Sequence, residues 1–167
     1  MAGALIVIAE LDPGDFAWID GLRRQHYPPE RNHVAAHLTI FHALPPSAEG
    51  ELRGRLAQAV RRAPLHATLA GLMDLGGGVA FRVVSPDLDR IREELAGELH
   101  GLLGAQDSGG WRPHITIQNK VAPKLARALK GSLEREFAPR SLGIVGLRLH
   151  RYLGGPWERL ATYPFRP

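Results

Sequence analysis

Two copies of a short His-x-Thr-x motif are the residues of this chain best suited to chemistry. They read HLTI at 37–40 and HITI at 114–117, and their histidines are 77 positions apart. Each motif alternates polar and apolar residues, which predicts a strand with His and Thr on one face and the apolar pair towards the core. About 6.6 Å of strand rise then separates the His and Thr positions, so both side chains can contact one small anion.

Together the motifs supply two imidazoles and two hydroxyls, from His37, Thr39, His114 and Thr116. Imidazole titrates near pH 6.5, so one ring can accept a proton from the attacking hydroxyl or water while the other donates one to the leaving oxygen. The threonine hydroxyls can donate hydrogen bonds to non-bridging phosphate oxygens, where transition-state charge resides. The pattern therefore predicts cleavage or transfer of a phosphodiester. It does not by itself decide which histidine donates.

The elements predicted around the motifs follow the same order in each half: strand, helix, motif strand, helix, strand. The predicted strands are 4–11, 33–41, 65–75, 78–85, 111–117, 140–152 and 157–165, and the predicted helices are 14–26, 48–62, 87–103 and 123–136. This repetition predicts an α+β fold built from a duplicated β-α-β-α-β unit, bilobal, with two antiparallel sheets flanking a central cleft. The repeats cover about 1–76 and 77–167. Since no segment resembles a linker, we expect one domain over 1–167.

Composition and charge narrow the class of protein. Of 167 residues, 44% are hydrophobic and 23% charged, as in ordinary globular domains. Cysteine is absent, which excludes disulfides and thiolate metal sites. No apolar run approaches the roughly 18 residues of a membrane span, so we expect a cytoplasmic, monomeric protein without membrane attachment. Residues 84–167 hold 13 Lys and Arg against 9 Asp and Glu and carry the whole net charge of +4, which favours an anionic ligand.

With both motifs in view, the chain resembles the 2H phosphoesterase superfamily, which includes 2'-5' RNA ligases and RNA 2',3'-cyclic phosphodiesterases. The resemblance rests on HLTI at 37–40 and the longer WRPHITI at 111–117, and the element order extends it over nearly the whole chain. It implies metal-independent, cofactor-free chemistry on cyclic phosphodiesters of RNA ends or nucleotides. It also implies that His37 donates the proton and His114 accepts it.

Strand parity extends the predicted site beyond the motifs. Phe41 shares the parity of His37 and is predicted to stack on a base or to pack. Arg112 and Lys120 share the parity of His114. They are predicted either to contact phosphate or to lie in solvent at the ends of the strand. A stacking wall for a nucleobase, or simple packing, is predicted for three aromatic residues: Trp111, Tyr152 and Trp157.

Two competing hypotheses arise from the same residues. His33 and His37 have the i, i+4 spacing of helical zinc ligands, with His42 nearby, but no Glu follows His33 and the segment favours a strand, so we predict no metal. A non-catalytic RNA- or nucleotide-binding module using the same cleft is the second alternative. Binding alone, however, does not require paired titratable groups. The physiological substrate, and the choice between hydrolysis and 2'-5' ligation, stay open, and we expect loops 28–36, 104–110 and 153–157 to set that choice.

Overall fold

The computed structural model describes residues 3–167 and mixes helices with antiparallel strands. In chain order the elements are β1 (Leu5–Leu11), α1 (Pro13–His26), β2 (Leu38–Leu44), α2 (Glu49–Ala59), β3 (Leu65–Asp74), β4 (Val79–Val84), α3 (Pro86–Glu98), α4 (Ala105–Ser108), β5 (His114–Gln118), α5 (Pro123–Glu134), β6 (Arg140–Tyr152) and β7 (Trp157–Pro164). Two 3-10 turns, Pro29–Arg31 and Pro46–Ala48, precede β2 and α2.

All seven strands belong to one connected antiparallel sheet with the order β1-β2-β5-β4-β3-β6-β7. Because β1 also pairs with β6, six of the strands close into a ring, and β7 pairs with the second half of β6. The α+β class is thus confirmed. The strands form one sheet rather than two, and the duplicated bilobal arrangement stays a prediction. Within this ring the two motif strands, β2 and β5, are neighbours and pair at one position.

A single hydrophobic cluster joins alternate strand residues to one face of the helices. In β1 the residues Leu5, Val7, Ala9 and Leu11 point into this cluster, as their period of two requires. The helices contribute residues at three- and four-residue spacing: Ile19 of α1, Leu52 and Leu56 of α2, and Leu88, Ile91 and Leu95 of α3. The motif strands are therefore fixed by the packed core on the face opposite their polar residues.

Two helix starts confirm the sequence expectation. The Asp12 carboxylate accepts hydrogen bonds from the backbone N–H groups of Gly14 and Asp15, and the Ser85 hydroxyl accepts one from Leu88, 3.1 Å away. A proline follows each cap. It occupies the start of the helix, where a backbone N–H would have no hydrogen-bond partner within the helix.

The first motif strand differs from its predicted bounds of 33–41. Residues 32–37 are irregular, and β2 runs from Leu38 to Leu44. The shift has a tertiary cause, because β1 pairs with β2 as far as Leu5 opposite Leu44. His37 consequently lies immediately before the strand, and Pro45 follows its end. The predicted loop 104–110 also contains a short helix, α4.

Candidate active site

The two motifs meet at one pair of buried residues, Leu38 of β2 and Ile115 of β5. Both side chains are completely buried and anchor their strands in the core. Because the strands are antiparallel, this register sets His37 beside Thr116 and Thr39 beside His114 on the other face. Those four side chains are half-buried, and all four line one cavity of about 250 Å³. The structure therefore brings together the four residues that the motifs predicted.

The two histidines are held in the same way. Nδ1 of His37 lies 2.8 Å from the carbonyl oxygen of Ala35, and Nδ1 of His114 lies 2.8 Å from that of Arg112. A carbonyl oxygen can only accept a hydrogen bond, so each Nδ1 carries a proton. In both motifs this N–H donates its hydrogen bond to the carbonyl of the residue two positions earlier in the chain. Each Nε2 is left to exchange a proton with a ligand. The same hydrogen bond thus selects the tautomer in both motifs.

Burial lowers the pKa of His37 to about 4, and electrostatic repulsion of its imidazolium by Arg23, His150 and His114 acts in the same direction. The hydrogen bond to Ala35 opposes this shift only in part. In the free protein at neutral pH, His37 is therefore uncharged and has an unprotonated Nε2.

The remaining walls of the cavity favour an anion. Arg92 and Arg112 line it together with Met73, Leu75, Gln106 and Trp111, and none of the described lining residues is Asp or Glu. Arg112 thus lies where the sequence placed it. Trp111 also has a structural role, because its indole Nε1 donates a hydrogen bond to the Thr39 carbonyl, 3.2 Å away. This bond ties the segment before the second motif to the first motif.

His42 is a cavity residue whose position next to a carboxylate the sequence did not reveal. Its backbone N–H and its Nδ1 lie 2.8 and 3.1 Å from Oδ1 of Asp107, whose Oδ2 accepts from the N–H of Ala43. Burial would raise the pKa of Asp107, but the hydrogen bonds from His42 and Ala43 hold it below its usual value. No local pattern could have found this pair, since 65 residues separate its members.

Arg92 fixes the same region from α3. Its guanidinium donates to the backbone carbonyls of Ile40 and Asp107, 3.2 and 2.6 Å away, and lies over the rings of Phe41 and Trp111. β2, α4 and the start of the second motif are therefore held by one side chain.

Of the two roles predicted for Phe41, the structure supports packing and does not support stacking on a base. Between β1 and β2 the register passes from Ile8 opposite Thr39 to Val7 opposite Phe41, so β2 contains one extra residue there. Such a bulge reverses the alternation of faces, and the Phe41 side chain is completely buried in the core.

Lys120 also lies outside the motif cavity, contrary to its predicted parity. β5 ends at Gln118, and Lys120 has a φ of +62°, so the alternation of a strand does not reach it. Its carbonyl accepts a hydrogen bond from Arg31.

The three aromatic residues predicted to form a stacking wall do not line a common cavity in the structure. Trp111 lines the motif cavity, and Trp157 lines a neighbouring one with its indole against His37. Tyr152 lines neither of these two cavities and pairs with Trp157 at the end of β6.

The helical zinc site predicted by the competing hypothesis does not form around His33. Residues 32–37 are irregular, so His33 and His37 do not share a helix face. Within residues 3–167, no three His, Asp or Glu side chains come together in a way that could hold a metal ion.

Over the same residues, no helix is both long and apolar enough to cross a membrane.

Comparison with protein-family models identifies the family of the chain. The family model of the 2'-5' RNA ligase superfamily matches residues 11–156, a span that includes both motifs. The chain belongs to this superfamily. The resemblance drawn from the motifs is therefore confirmed, and the superfamily is one of phosphoesterases and ligases. No curated protein sequence matches the chain significantly.

Solved structures support the fold of this superfamily member. TT0787 of Thermus thermophilus is similar over 98% of both chains, with a TM-score of 0.69 and 18% identity. A phosphoesterase structure aligns over 100% of both chains with a TM-score of 0.65 and 18% identity. E. coli LigT complexed with NADP+ aligns over 100% of both chains with a TM-score of 0.64 and 20% identity. At these identities the similarity extends to the fold alone.

Proposed function

We propose that this 2'-5' RNA ligase superfamily member hydrolyses 2',3'-cyclic phosphodiesters of RNA ends or nucleotides without a metal. One observation carries the proposal: two histidines with identical Nδ1 anchors and two threonines line a single cavity that no described carboxylate lines. Thr39 and Thr116 are proposed to donate hydrogen bonds to the non-bridging oxygens of the phosphate.

The proposed proton transfers follow the direction that the family resemblance implies, with His37 as the donor and His114 as the acceptor. Nε2 of His114 accepts a proton from water, whose oxygen forms a new bond to phosphorus. The bond between phosphorus and one ribose oxygen breaks, and that oxygen takes the proton from Nε2 of His37. The product is a phosphate monoester. Ligation follows the same steps with a ribose 5'-hydroxyl in the place of water.

His37 has to be charged before it can donate. In the free protein its pKa of about 4 leaves it neutral at pH 7. A phosphodiester anion beside the ring favours the imidazolium and raises this pKa, because an opposite charge within about 4–6 Å favours the charged form. The substrate is thus proposed to bring the proton donor into its active form. The E. coli LigT complex with 3'-AMP is consistent with a nucleotide ligand on this fold.

The test is turnover of a 2',3'-cyclic nucleotide in excess EDTA by the wild type and by His37→Ala and His114→Ala variants. Loss of either acid–base group is expected to lower kcat by about 100- to 10,000-fold. His100→Ala, an exposed histidine after α3, is the matched control and should behave as the wild type. Binding of the nucleotide without turnover would instead support the non-catalytic binding module, and activity lost only in EDTA would support a metal enzyme.

A further inference from the structure

A second cavity, of about 480 Å³ and thus larger than the motif cavity, also has His37 in its wall. Among the described residues, His37 is the one that lines both cavities. Ligand sites in proteins are commonly apolar hollows of this size with a few polar groups. The walls fit that description, since apolar side chains predominate, among them Ile8, Leu11, Phe16 and Val34.

An aromatic side chain in the wall of the second cavity packs against the shared residue His37. The ring of Trp157 lies against the imidazole of His37, with centroids 4.6 Å apart, and against that of His150, with centroids 5.6 Å apart. Trp157 is the first residue of β7, and its pairing with Tyr152 holds it there. The indole therefore forms the part of the second cavity wall that contacts His37.

Two side chains of the cavity wall include polar atoms that have no hydrogen-bond partner among the described residues. His150 is 8% exposed, and neither of its ring nitrogens makes a hydrogen bond. Nε of the neighbouring Arg148 is also buried without a partner, although the guanidinium pairs with Glu10 at 3.0 Å. Buried polar atoms of this kind are uncommon, because removing them from water without a replacement hydrogen bond destabilises the fold. They leave this wall of the cavity with hydrogen-bonding groups that the described part of the fold does not use.

The charges in the cavity distinguish a base from a second phosphate. Glu10 compensates the charge of Arg148, and burial together with Arg148 and Arg159 lowers the pKa of His150 to about 4, so that His150 is neutral at pH 7. Arg159 is exposed. A neutral imidazole, an apolar floor and an indole suit an uncharged heteroaromatic ring better than an anion.

We propose that this second cavity binds the nucleobase of the nucleoside whose ribose oxygen is the leaving group. The inference rests on the proposed function. In an in-line displacement the leaving oxygen lies opposite the attacking water, hence on the side of the proton donor, His37. The nucleoside that carries this oxygen then extends past His37 towards Trp157 and His150.

The test compares adenosine 2',3'-cyclic phosphate with a base-free substrate, methyl riboside 2',3'-cyclic phosphate. We expect wild-type kcat/KM to favour the nucleoside substrate by about tenfold or more, as stacking on an aromatic ring predicts. Val34→Trp, which adds an indole to the wall of the cavity, and Trp157→Leu should each abolish most of this preference. Trp18→Leu removes a partly exposed indole elsewhere and should retain it.

Two results would overturn the inference while leaving the enzyme intact. One is equal kcat/KM of the wild type for both substrates. The other is an equal loss on both substrates in both variants, since Trp157 would then act through His37 alone. If the wild type turned over neither substrate, the proposed function would fail. Calorimetric binding of 3'-AMP and of ribose 3-phosphate to the wild type and to Val34→Trp would then decide: a contribution of the base that this variant removes supports the cavity, and no such contribution overturns it.

Discussion

The imidazole of His42 and the buried carboxylate of Asp107 form a pair at the motif cavity, with 3.1 Å between Nδ1 and Oδ1. The carboxylate is 1% exposed, whereas the imidazole is 34% exposed and lines the cavity. Because Nδ1–H is directed to Asp107, Nε2 of His42 is the ring nitrogen left for a ligand. The pair gives the cavity a third oriented imidazole, in addition to those of the two motifs.

Replacing Asp107 by Asn should loosen this arrangement. The variant loses the charge of an acceptor that binds three N–H groups, so the free energy of unfolding is expected to fall by about 1–3 kcal/mol. We also expect lower kcat/KM, since His42 loses its orientation. Denaturant unfolding and steady-state kinetics measure both effects, with Asp89→Asn on the exposed surface of α3 as the control. Equal stability of the two variants would show that the pair contributes nothing.

Replacing Thr39 and Thr116 by Val removes the two proposed hydrogen-bond donors while keeping the β-branched shape. Each substitution is expected to lower kcat by about 10- to 100-fold with a smaller effect on KM, because the charge on the phosphate oxygens grows in the transition state. Thr68→Val, at an exposed position of β3, is the matched control. If kcat is unchanged in both motif variants, the threonines do not hold the phosphate.

Binding of a small dianion should take up a proton at His37. Sulfate suits the measurement because it does not itself titrate near neutral pH. Its charge favours the imidazolium of His37, whose pKa is about 4 in the free protein, so affinity should rise as the pH falls from 7 to 5. Calorimetry in buffers of different ionisation enthalpy counts the proton directly. The uptake should be smaller in His37→Gln; the same uptake in this variant would assign the proton to another group.

Acid should destabilise the fold through His150. Its pKa of about 4 in the folded state lies below the ordinary value of 6.5, so the unfolded chain binds more protons and stability falls as the pH drops from about 6.5 to 4. The loss is on the order of 3 kcal/mol for a buried group shifted this far. Tm measured at pH 7 and at pH 4.5 should fall less in His150→Phe, which keeps the ring and removes the titration. An equal fall in both proteins would contradict the assignment.

The sequence was sufficient for the features that depend on local pattern. The alternation within HLTI and HITI predicted which side chains share a face, and Asp12 and Ser85 predicted helix starts that their side chains do cap. The family also followed from the paired motifs, and the match over residues 11–156 confirms it. Local hydrogen bonding and side-chain alternation depend on neighbours in the chain, so they are visible in the sequence alone.

The tertiary structure decided what depends on partners distant in the chain. Strand pairing with β1 places the bulge that buries Phe41, and the end of β5 leaves Lys120 away from the motif cavity. The Leu38–Ile115 pair that unites the motifs joins positions 77 residues apart. The environment that lowers the pKa of His37 likewise comes from its burial in the folded chain, with smaller contributions from Arg23, His150 and His114. Such contacts follow from strand register and from the folded path of the chain, and no local pattern encodes them.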